Sequence, residues 1–238
     1  MLNSVNNFCR FADHTIGKTF SEPAALTALF KAVNGGVQIA AILTKRTYIP
    51  LATTSIAVVI DFLQCLHATP SDVVDLVKHF QAERATRSFW SAVTLSAFVA
   101  VDLYETVRIL DSYQLIRVSS AVLEYVQTSK IFQFIMQYGP GRVLDGFCVL
   151  GWSADFVKNY NVLAKKRELT DLISANTIKN QQERTRAIWS CCIDGIAICG
   201  TVAFYAMPSA PVASLSIYVV RQLLNCLKES VCTYQPQP

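Results

Sequence analysis

The chain alternates between long apolar stretches and short polar connectors. Its longest charge-free stretch, 195–220, has 26 residues, and about 20 apolar residues suffice to cross a bilayer. Pro208 and Pro211 lie near the middle of this stretch, where a proline removes a helix hydrogen bond and clashes with the preceding turn. The pattern therefore predicts two apolar helices, 187–206 and 212–228, joined by a tight turn.

The upstream pattern also predicts helices. Apolar residues recur at helical spacing from Ala24 to Val33, and the following Asn-Gly-Gly, 34–36, predicts a helix end or cap there. The most apolar upstream helices are expected over 49–66 and 88–110. Further helical segments are expected over 37–43, 71–84, 112–138 and 143–156. The predicted fold class is all-α, a multi-helix membrane or membrane-associated bundle.

Composition narrows the class of protein. Of the 238 residues, 52% are apolar and 16% are charged, whereas an ordinary soluble domain has about 25% charged residues. The formal net charge is only +4, and seven of the 21 basic residues lie between Lys158 and Arg186. This local positive charge favours the anionic surface of a membrane over nucleic acid as a partner.

No pattern in the sequence predicts catalysis, a metal ion or a cofactor. The eight cysteines form no CxxC pair and no cysteine–histidine series with zinc spacing. Most of them lie in apolar stretches, so we expect free, buried thiols in a reducing compartment. The sequence has no G-x-S-x-G motif. We therefore predict that the protein is not an enzyme. The first 18 residues lack the pattern of a cleavable signal peptide.

One segment is repeated at a separation of about 100 residues. Residues 83–91, ERATRSFWS, align with residues 183–190, ERTRAIWS, with a single gap, and each copy precedes a long apolar segment. Duplicated units are a common way to build pseudo-symmetric helical membrane proteins. We therefore predict two pseudo-repeats, although short apolar helices also resemble each other by chance. The predicted domains are an N-terminal helical region 1–46, repeat 1 at 47–141, repeat 2 at 142–228, and a disordered tail 229–238.

The duplicated segments are candidate membrane-interface junctions. Arginine followed closely by tryptophan and then by an apolar run is the arrangement found where a helix enters a membrane, because the indole and guanidinium groups favour the headgroup region. The alternative is the start of a soluble helix whose tryptophan covers a core. The junction residues are Arg84, Arg87, Trp90, Arg184, Arg186 and Trp189.

Both predicted apolar helices that follow the junctions carry a stripe of small residues. Small side chains at every fourth position let helices approach closely, and close approach promotes association in lipid. Small residues are also simply common in apolar helices. The candidate helix-packing residues are Ser88, Ala92, Ser96 and Ala100 in the first helix and Cys191, Gly195, Cys199 and Ala203 in the second.

Four isolated acids lie within or at the edges of the apolar segments. A charge at the centre of a bilayer costs about 2.5–3.5 kcal/mol, so such residues usually pair or face a cavity. They either line an ion or proton path or lie near helix ends and face protein, with Arg108, Arg117 or Arg221 as partners. The acids are Asp61, Asp102, Asp155 and Asp194.

The layout resembles the inclusion-membrane proteins secreted by chlamydia-type intracellular bacteria. The resemblance is carried by paired apolar segments, 49–66 with 88–107 and 187–206 with 212–228, together with the absence of a cleavable signal peptide and the liberal use of cysteine. The first pair departs from the family pattern because a polar stretch, not a tight turn, separates its members. The resemblance implies a non-enzymatic scaffold in a pathogen vacuole membrane that contacts host proteins.

A second resemblance concerns Asp102-Leu103-Tyr104-Glu105. This stretch is similar to part of the second half of the peroxisomal membrane-elongation peroxins. That resemblance implies membrane remodelling by wedge-like amphipathic helices such as 71–84 and 112–138.

The sequence as a whole predicts a helical membrane protein that organises a membrane or docks a partner. The expected partners are membrane lipid and either another protein or a second copy of the chain. Two alternatives stay open: a transporter-like or ion-conducting oligomer, and a soluble helical bundle that serves as an interaction module.

Overall fold

In the computed structural model, the described residues are 2–45, 49–82, 88–114, 137, 139–169, 177–207 and 209–234. Within these ranges the secondary structure is helical and contains no strand, which confirms the all-α prediction. A five-residue π-helical turn, Gln64–Ala68, precedes the fourth helix. The α-helices are α1 Leu2–Ser21, α2 Pro23–Thr44, α3 Ile49–Leu63, α4 Thr69–Gln81, α5 Phe89–Ser112, α6 Pro140–Leu169, α7 Thr177–Ala206 and α8 Pro211–Thr233.

The chain divides into two packing units. The first unit comprises residues 1–63 and 155–238, and the second comprises residues 64–154. Helix α6 contributes to both, because the division falls between Ala154 and Asp155. These divisions fall at other positions than the sequence-based domain boundaries, and the duplication stays a prediction.

Helix α8 is central to the first unit, where it packs against α1, α2 and α7. Small side chains make this packing close. The alanines at 25, 28 and 32 of α2 and at 187 and 197 of α7 are at most 5% exposed. Small residues at such positions let helix axes approach and increase van der Waals contact.

Helix α2 runs through Asn34, Gly35 and Gly36 without interruption. The prediction of a helix end at this point is therefore wrong. A Cβ on Gly35 would lie 2.7 Å from Cγ2 of Val219, so α8 occupies the space that a side chain would need. The contact with α8 stabilises the helix at a residue with low intrinsic helix propensity.

The turn between α7 and α8 agrees with the prediction. Helix α7 ends at Ala206, and α8 begins at Pro211. Proline suits the first helical position because its missing N–H group would have no partner within the helix there. Within the turn, the amide of Ala210 donates a 3.0 Å hydrogen bond to the carbonyl of Met207. The two helices pack against each other and form a helical hairpin.

In the second unit, α4 and the π-helical turn pack on α5. The Gln64 amide donates a 2.7 Å hydrogen bond to the Asp102 carboxylate. The hydroxyls of Thr69 and Thr106 are 2.7 Å apart and form a second polar link between the same elements.

The end of α8 differs from the predicted disordered tail. The helix continues to Thr233, and Ser230 has no exposed surface. Helix α1 covers this end: His14 Nε2 lies 3.1 Å from the Thr233 hydroxyl, and the rings of Phe11 and Tyr234 meet edge to face. Contacts with α1 therefore stabilise the end of α8, whose sequence alone does not predict a helix. Residues 235–238 lie outside the described ranges.

Candidate functional site

Among the described residues, two helical segments are long and apolar enough to cross a membrane. They are α2, with 22 residues, and residues 181–206 of α7, with 26 residues; the most apolar 18-residue windows of these segments have mean hydropathies of 1.5 and 1.7. At the helical rise per residue these lengths correspond to about 33 Å and about 39 Å, compared with about 30 Å for the hydrocarbon core of a bilayer. Core helices of soluble proteins and signal sequences can have the same length and composition, so the assignment needs support from burial.

The two most apolar upstream segments predicted from the sequence, 49–66 and 88–110, do not form helices that are both long and apolar enough to cross a membrane. Helix α3 has only 15 residues, which is shorter than a typical crossing. Helix α5 has 24 residues but carries Asp102, Glu105, Arg108 and Asp111 in its second half. By contrast, α2 was expected to be broken at Asn34, and its unbroken length emerges only in the structure.

The two candidate segments are mostly unburied. Only 17% of the apolar window of α2 and 28% of that of α7 lies inside the protein. A helix that is apolar around its circumference normally lies in a protein core or in a membrane. Since these helices are not in a core formed by the described residues, their composition and their exposure agree with a lipid environment.

The sizes of the buried and exposed apolar side chains also agree with a lipid environment. The buried apolar residues of the described ranges are alanine, valine, isoleucine and cysteine, whereas many large apolar side chains are exposed. On α7 the exposed fractions are 59% for Val202, 54% for Phe204 and 44% for Tyr205. Large apolar side chains facing outward and small ones facing other helices are typical of helices packed in lipid.

The junction residues occupy different local environments in the two copies. Residues 83–87, which include Arg84 and Arg87, lie outside the described ranges. Trp90 is the second residue of α5, two positions after the N-cap Ser88, and is 38% exposed. Trp189 lies inside α7, which begins at Thr177, so the second junction does not start its helix. The intervening polar residues include good helix formers such as Gln, Glu and Arg, which extend the helix towards its N-terminus.

Arg186 makes a contact that the sequence does not indicate. Its guanidinium group donates a 2.7 Å hydrogen bond to the Glu229 carboxylate on α8. Arg184 and Arg186 are both exposed. Near this contact, burial raises the pKa of the Cys232 thiol, and the Glu229 charge raises it further. Arg186 therefore contributes to the α7–α8 hairpin as well as supplying positive charge beside Trp189.

The predicted small-residue stripes are not the closest helix contacts. Ser96, Ala100 and Cys199 are exposed, and no atom lies within 4 Å of a Cβ placed on Gly195. Among the other stripe residues, Ser88, Ala92, Cys191 and Ala203 are half-buried.

Three other glycines make the close approaches. A Cβ on Gly200 would lie 2.9 Å from Ile217, and one on Gly151 would lie 2.7 Å from Phe98. Gly35 approaches α8 equally closely. Sequence periodicity selected a face with small residues, but only the positions of neighbouring helices decide which glycine is in contact.

Two of the four acids lie in different units. Asp102, in the second unit, accepts the hydrogen bond from Gln64 described above, which accounts for an acidic side chain at the end of the apolar run of α5. Asp61, in the first unit, is half-buried on α3.

The other two acids, Asp155 and Asp194, come together in the first unit. Asp155 on α6 and Asp194 on α7 lie close enough for their carboxyl groups to interact electrostatically. Asp194 is only 7% exposed, whereas Asp155 is bound by Lys158 and Asn159 of its own helix. The described residues contain no group of three or more histidine, cysteine or acidic side chains that would hold a metal ion.

The chain matches no protein-family model, no curated protein and no solved structure. The arguments for its function therefore come from its own residues.

Proposed function

We propose that the protein is a non-enzymatic helical membrane protein that organises a membrane or docks a partner there. The observation that carries this proposal is the low burial of α2 and α7, which are apolar along lengths sufficient to cross a bilayer. Leaving so much apolar surface in water is unfavourable by about 25 cal/mol per Å². A lipid environment removes that cost.

The aromatic residues of α7 support the same proposal. Trp189 and Tyr205 are separated by 16 positions, which correspond to about 24 Å along a helix. Tryptophan and tyrosine favour the two interfaces of a membrane. Arg184 and Arg186 lie just outside Trp189, where guanidinium groups would meet lipid phosphates.

Helix α4 is the candidate for membrane organisation. Val74, Val77 and Phe80 are each about half exposed, at 48%, 47% and 53%, and they lie on one side of the helix. Its other side carries Asp75 and Lys78, which form an ion pair. An amphipathic helix of this kind binds in the plane of the interface and inserts its apolar side between lipids.

The location in a vacuole membrane and the contact with host proteins are proposals that depend on the layout of the sequence. The α7–α8 hairpin supports one of the two paired segments on which the resemblance to inclusion-membrane proteins depends. The other pair receives less support, since α3 packs on α2 and α5 packs on α4. The two pseudo-repeats likewise depend on the duplicated junction sequence.

The first experiment is fractionation of the full-length protein expressed in cells. Membranes are washed with sodium carbonate and then extracted with detergent. We expect the protein to resist the wash and to be released only by detergent. Release by carbonate would show that the helices lie at the membrane interface and do not cross it. A protein that never sediments with membranes would overturn the proposal in favour of the soluble bundle.

A lipid-soluble carbene reagent identifies the surfaces that face lipid. After photolysis in intact membranes, we expect peptide mass spectrometry to find label on Val202 and Phe204 of α7, and on Leu43, which is 67% exposed on α2. Ile193, at 4% exposed, is the matched apolar control on α7 and should remain unlabelled. Equal labelling of exposed and buried positions, or none on either helix, would contradict the assignment of these helices.

A further inference from the structure

The middle of α8 has polar side chains inside the protein and apolar side chains outside it. Gln222 is 6% exposed, and Nε of Arg221 is buried. The adjacent Val220 and Leu223, by contrast, are 48% and 44% exposed. A helix on the surface of a protein in water normally shows the opposite distribution. In a membrane, polar and charged side chains face the interior of the helix bundle, as they do here.

Charge, and not length, excludes α8 from the segments that could cross a membrane alone. The helix has 23 residues, which correspond to about 35 Å. Its charged residues are Arg221, Lys228 and Glu229. Lys228 and Glu229 lie in the last two turns, from which long side chains reach the headgroup region. Arg221 lies near the middle, so a crossing by α8 requires a partner for this one charge.

The register of the α7–α8 hairpin identifies that partner. The two helices run in opposite directions, and Arg186 of α7 donates a 2.7 Å hydrogen bond to Glu229 of α8. Asp194 comes eight residues after Arg186, and Arg221 comes eight residues before Glu229. Each is thus about 12 Å from the same contact, measured along its own helix towards the turn. The register therefore places Asp194 and Arg221 at the same level of the hairpin.

A second contact gives the same level and also indicates the side of α8. Ile217 lies against α7 at Gly200, where an added Cβ would be 2.9 Å away. Arg221 follows Ile217 by one helical turn and therefore lies on the side of α8 that faces α7. Asp194 precedes Gly200 by six residues, so this count agrees with the first to within two residues, or about 3 Å. Asp194 is 7% exposed, and the charge of Arg221 acts on it.

We propose that Asp194 and Arg221 pair inside the bilayer and that this pair lets α8 cross the membrane together with α7. The inference rests on the proposed function, which places α7 in a membrane. Asp155, the other acid near Asp194, has a cation of its own helix, because Lys158 lies 2.5 Å from its carboxylate. Charges within membrane-spanning segments almost always pair, since an unpaired charge is costly in lipid. The two helices thereby cross as one hairpin, although only α7 is apolar enough to cross alone.

The proposal determines where the two ends of α8 lie. If α8 crosses, the turn at 207–210 and the chain after Thr233 lie on opposite sides of the membrane. The start of α7 then lies on the same side as the chain after Thr233, because α7 crosses in the other direction. If α8 instead lies along the surface, the turn and the chain after Thr233 lie on the same side.

The first test locates both ends of α8 in the full-length protein. One version carries an epitope tag after Ser209 in the turn, and a second version carries it after Pro238. In sealed vesicles an antibody reaches only the tags on the outer side, and permeabilisation exposes the others. We expect the two tags on opposite sides. Tags on the same side of a protein that resists the carbonate wash would overturn this proposal alone, whereas release by carbonate would overturn the crossing of α7 on which it rests.

The second test reverses the two charges and uses the tag after Pro238 as the readout. Arg221→Asp leaves two acids at one level of the hairpin, and Asp194→Arg leaves two arginines there. We expect each to lower the ratio of crossing to surface-bound α8 by about tenfold or more, because an unpaired charge near the bilayer centre opposes insertion. The double variant Asp194→Arg with Arg221→Asp restores the pair and should restore the ratio.

Lys228 supplies the matched control, because it is a basic residue of the same helix about two turns beyond Arg221. Asp194→Arg combined with Lys228→Asp has the same net charge as the first double variant but has no acid at the level of residue 194. We expect no recovery in this second double variant. Recovery in both double variants, or in neither, would overturn the pairing of Asp194 with Arg221. So would an unchanged ratio in both single variants, because neither charge would then lie in the bilayer.

Discussion

Helices α5 and α7 follow the same duplicated junction but have different surroundings. Each carries a tryptophan directly before a serine and then a long apolar run. Helix α5 begins beside its tryptophan and becomes charged after Asp102. Helix α7 begins well before its tryptophan and is apolar enough to cross a membrane up to Ala206.

The acids of the two helices show the same difference. Asp102 accepts a hydrogen bond from a neutral glutamine, whereas Asp194 lies near another acid, Asp155. The comparison teaches that a junction motif marks only the beginning of an apolar segment. The length of the apolar run and the partners of its polar residues determine which environment the helix can occupy.

The largest expected effect is on membrane insertion when an arginine is placed at equivalent positions of α5 and α7. Ala100 and Cys199 each follow their tryptophan by ten residues, and both are exposed. We expect Cys199→Arg to reduce membrane insertion by about 2.5–3.5 kcal/mol, because the charge would lie near the middle of the crossing. Ala100→Arg should change insertion little. An insertion reporter fused to the full chain measures both.

Equal losses in Cys199→Arg and Ala100→Arg would remove the distinction between α5 and α7. No loss in either variant would place both helices in water, where exposed substitutions usually change stability by less than about 0.5 kcal/mol.

The next largest effect is a loss of stability when a glycine in close contact with a neighbouring helix is replaced by valine. Gly200→Val would force Ile217 to move, and Gly151→Val would press on Phe98 of α5. We expect each to lower the free energy of unfolding by about 1–3 kcal/mol, as overpacking usually does. The controls are Gly195→Val and Gly146→Val, where no atom lies within 4 Å of the added Cβ. Denaturation in detergent measures all four, and equal effects at contact and control positions would contradict the close approaches.

The smallest effect concerns Arg186 and Glu229. The pair joins α7 to α8, but both side chains are partly exposed, so solvent screens the interaction. We expect a coupling free energy of about 0.2–1 kcal/mol from a double-mutant cycle of Arg186→Gln and Glu229→Gln. A coupling of zero would leave Arg186 as an interface residue only, which would make the two junctions more alike.

Much of the fold could be predicted from local patterns. Helical spacing predicted the all-α class, and Pro208 with Pro211 predicted the turn between α7 and α8. The prediction of a helix end at Asn34–Gly36 is wrong because it considered only the low helix propensity of glycine. In the structure, the missing side chain of Gly35 makes room for α8, and the helix continues. Part of the candidate site, Arg84 and Arg87, lies outside the described residues, so the first junction stays a prediction.

The sequence by itself determined which segments are helical and which of them are apolar, because both properties depend on residues a few positions apart. Only the tertiary structure decided that α1 covers the end of α8, that Gly200 and not Gly195 makes the close contact, and that Asp155 and Asp194 lie near each other. Phe11 and Tyr234 are 223 residues apart in the chain yet in ring contact. Such contacts depend on how helices pack, and the spacing of apolar residues within one helix carries no information about its neighbours.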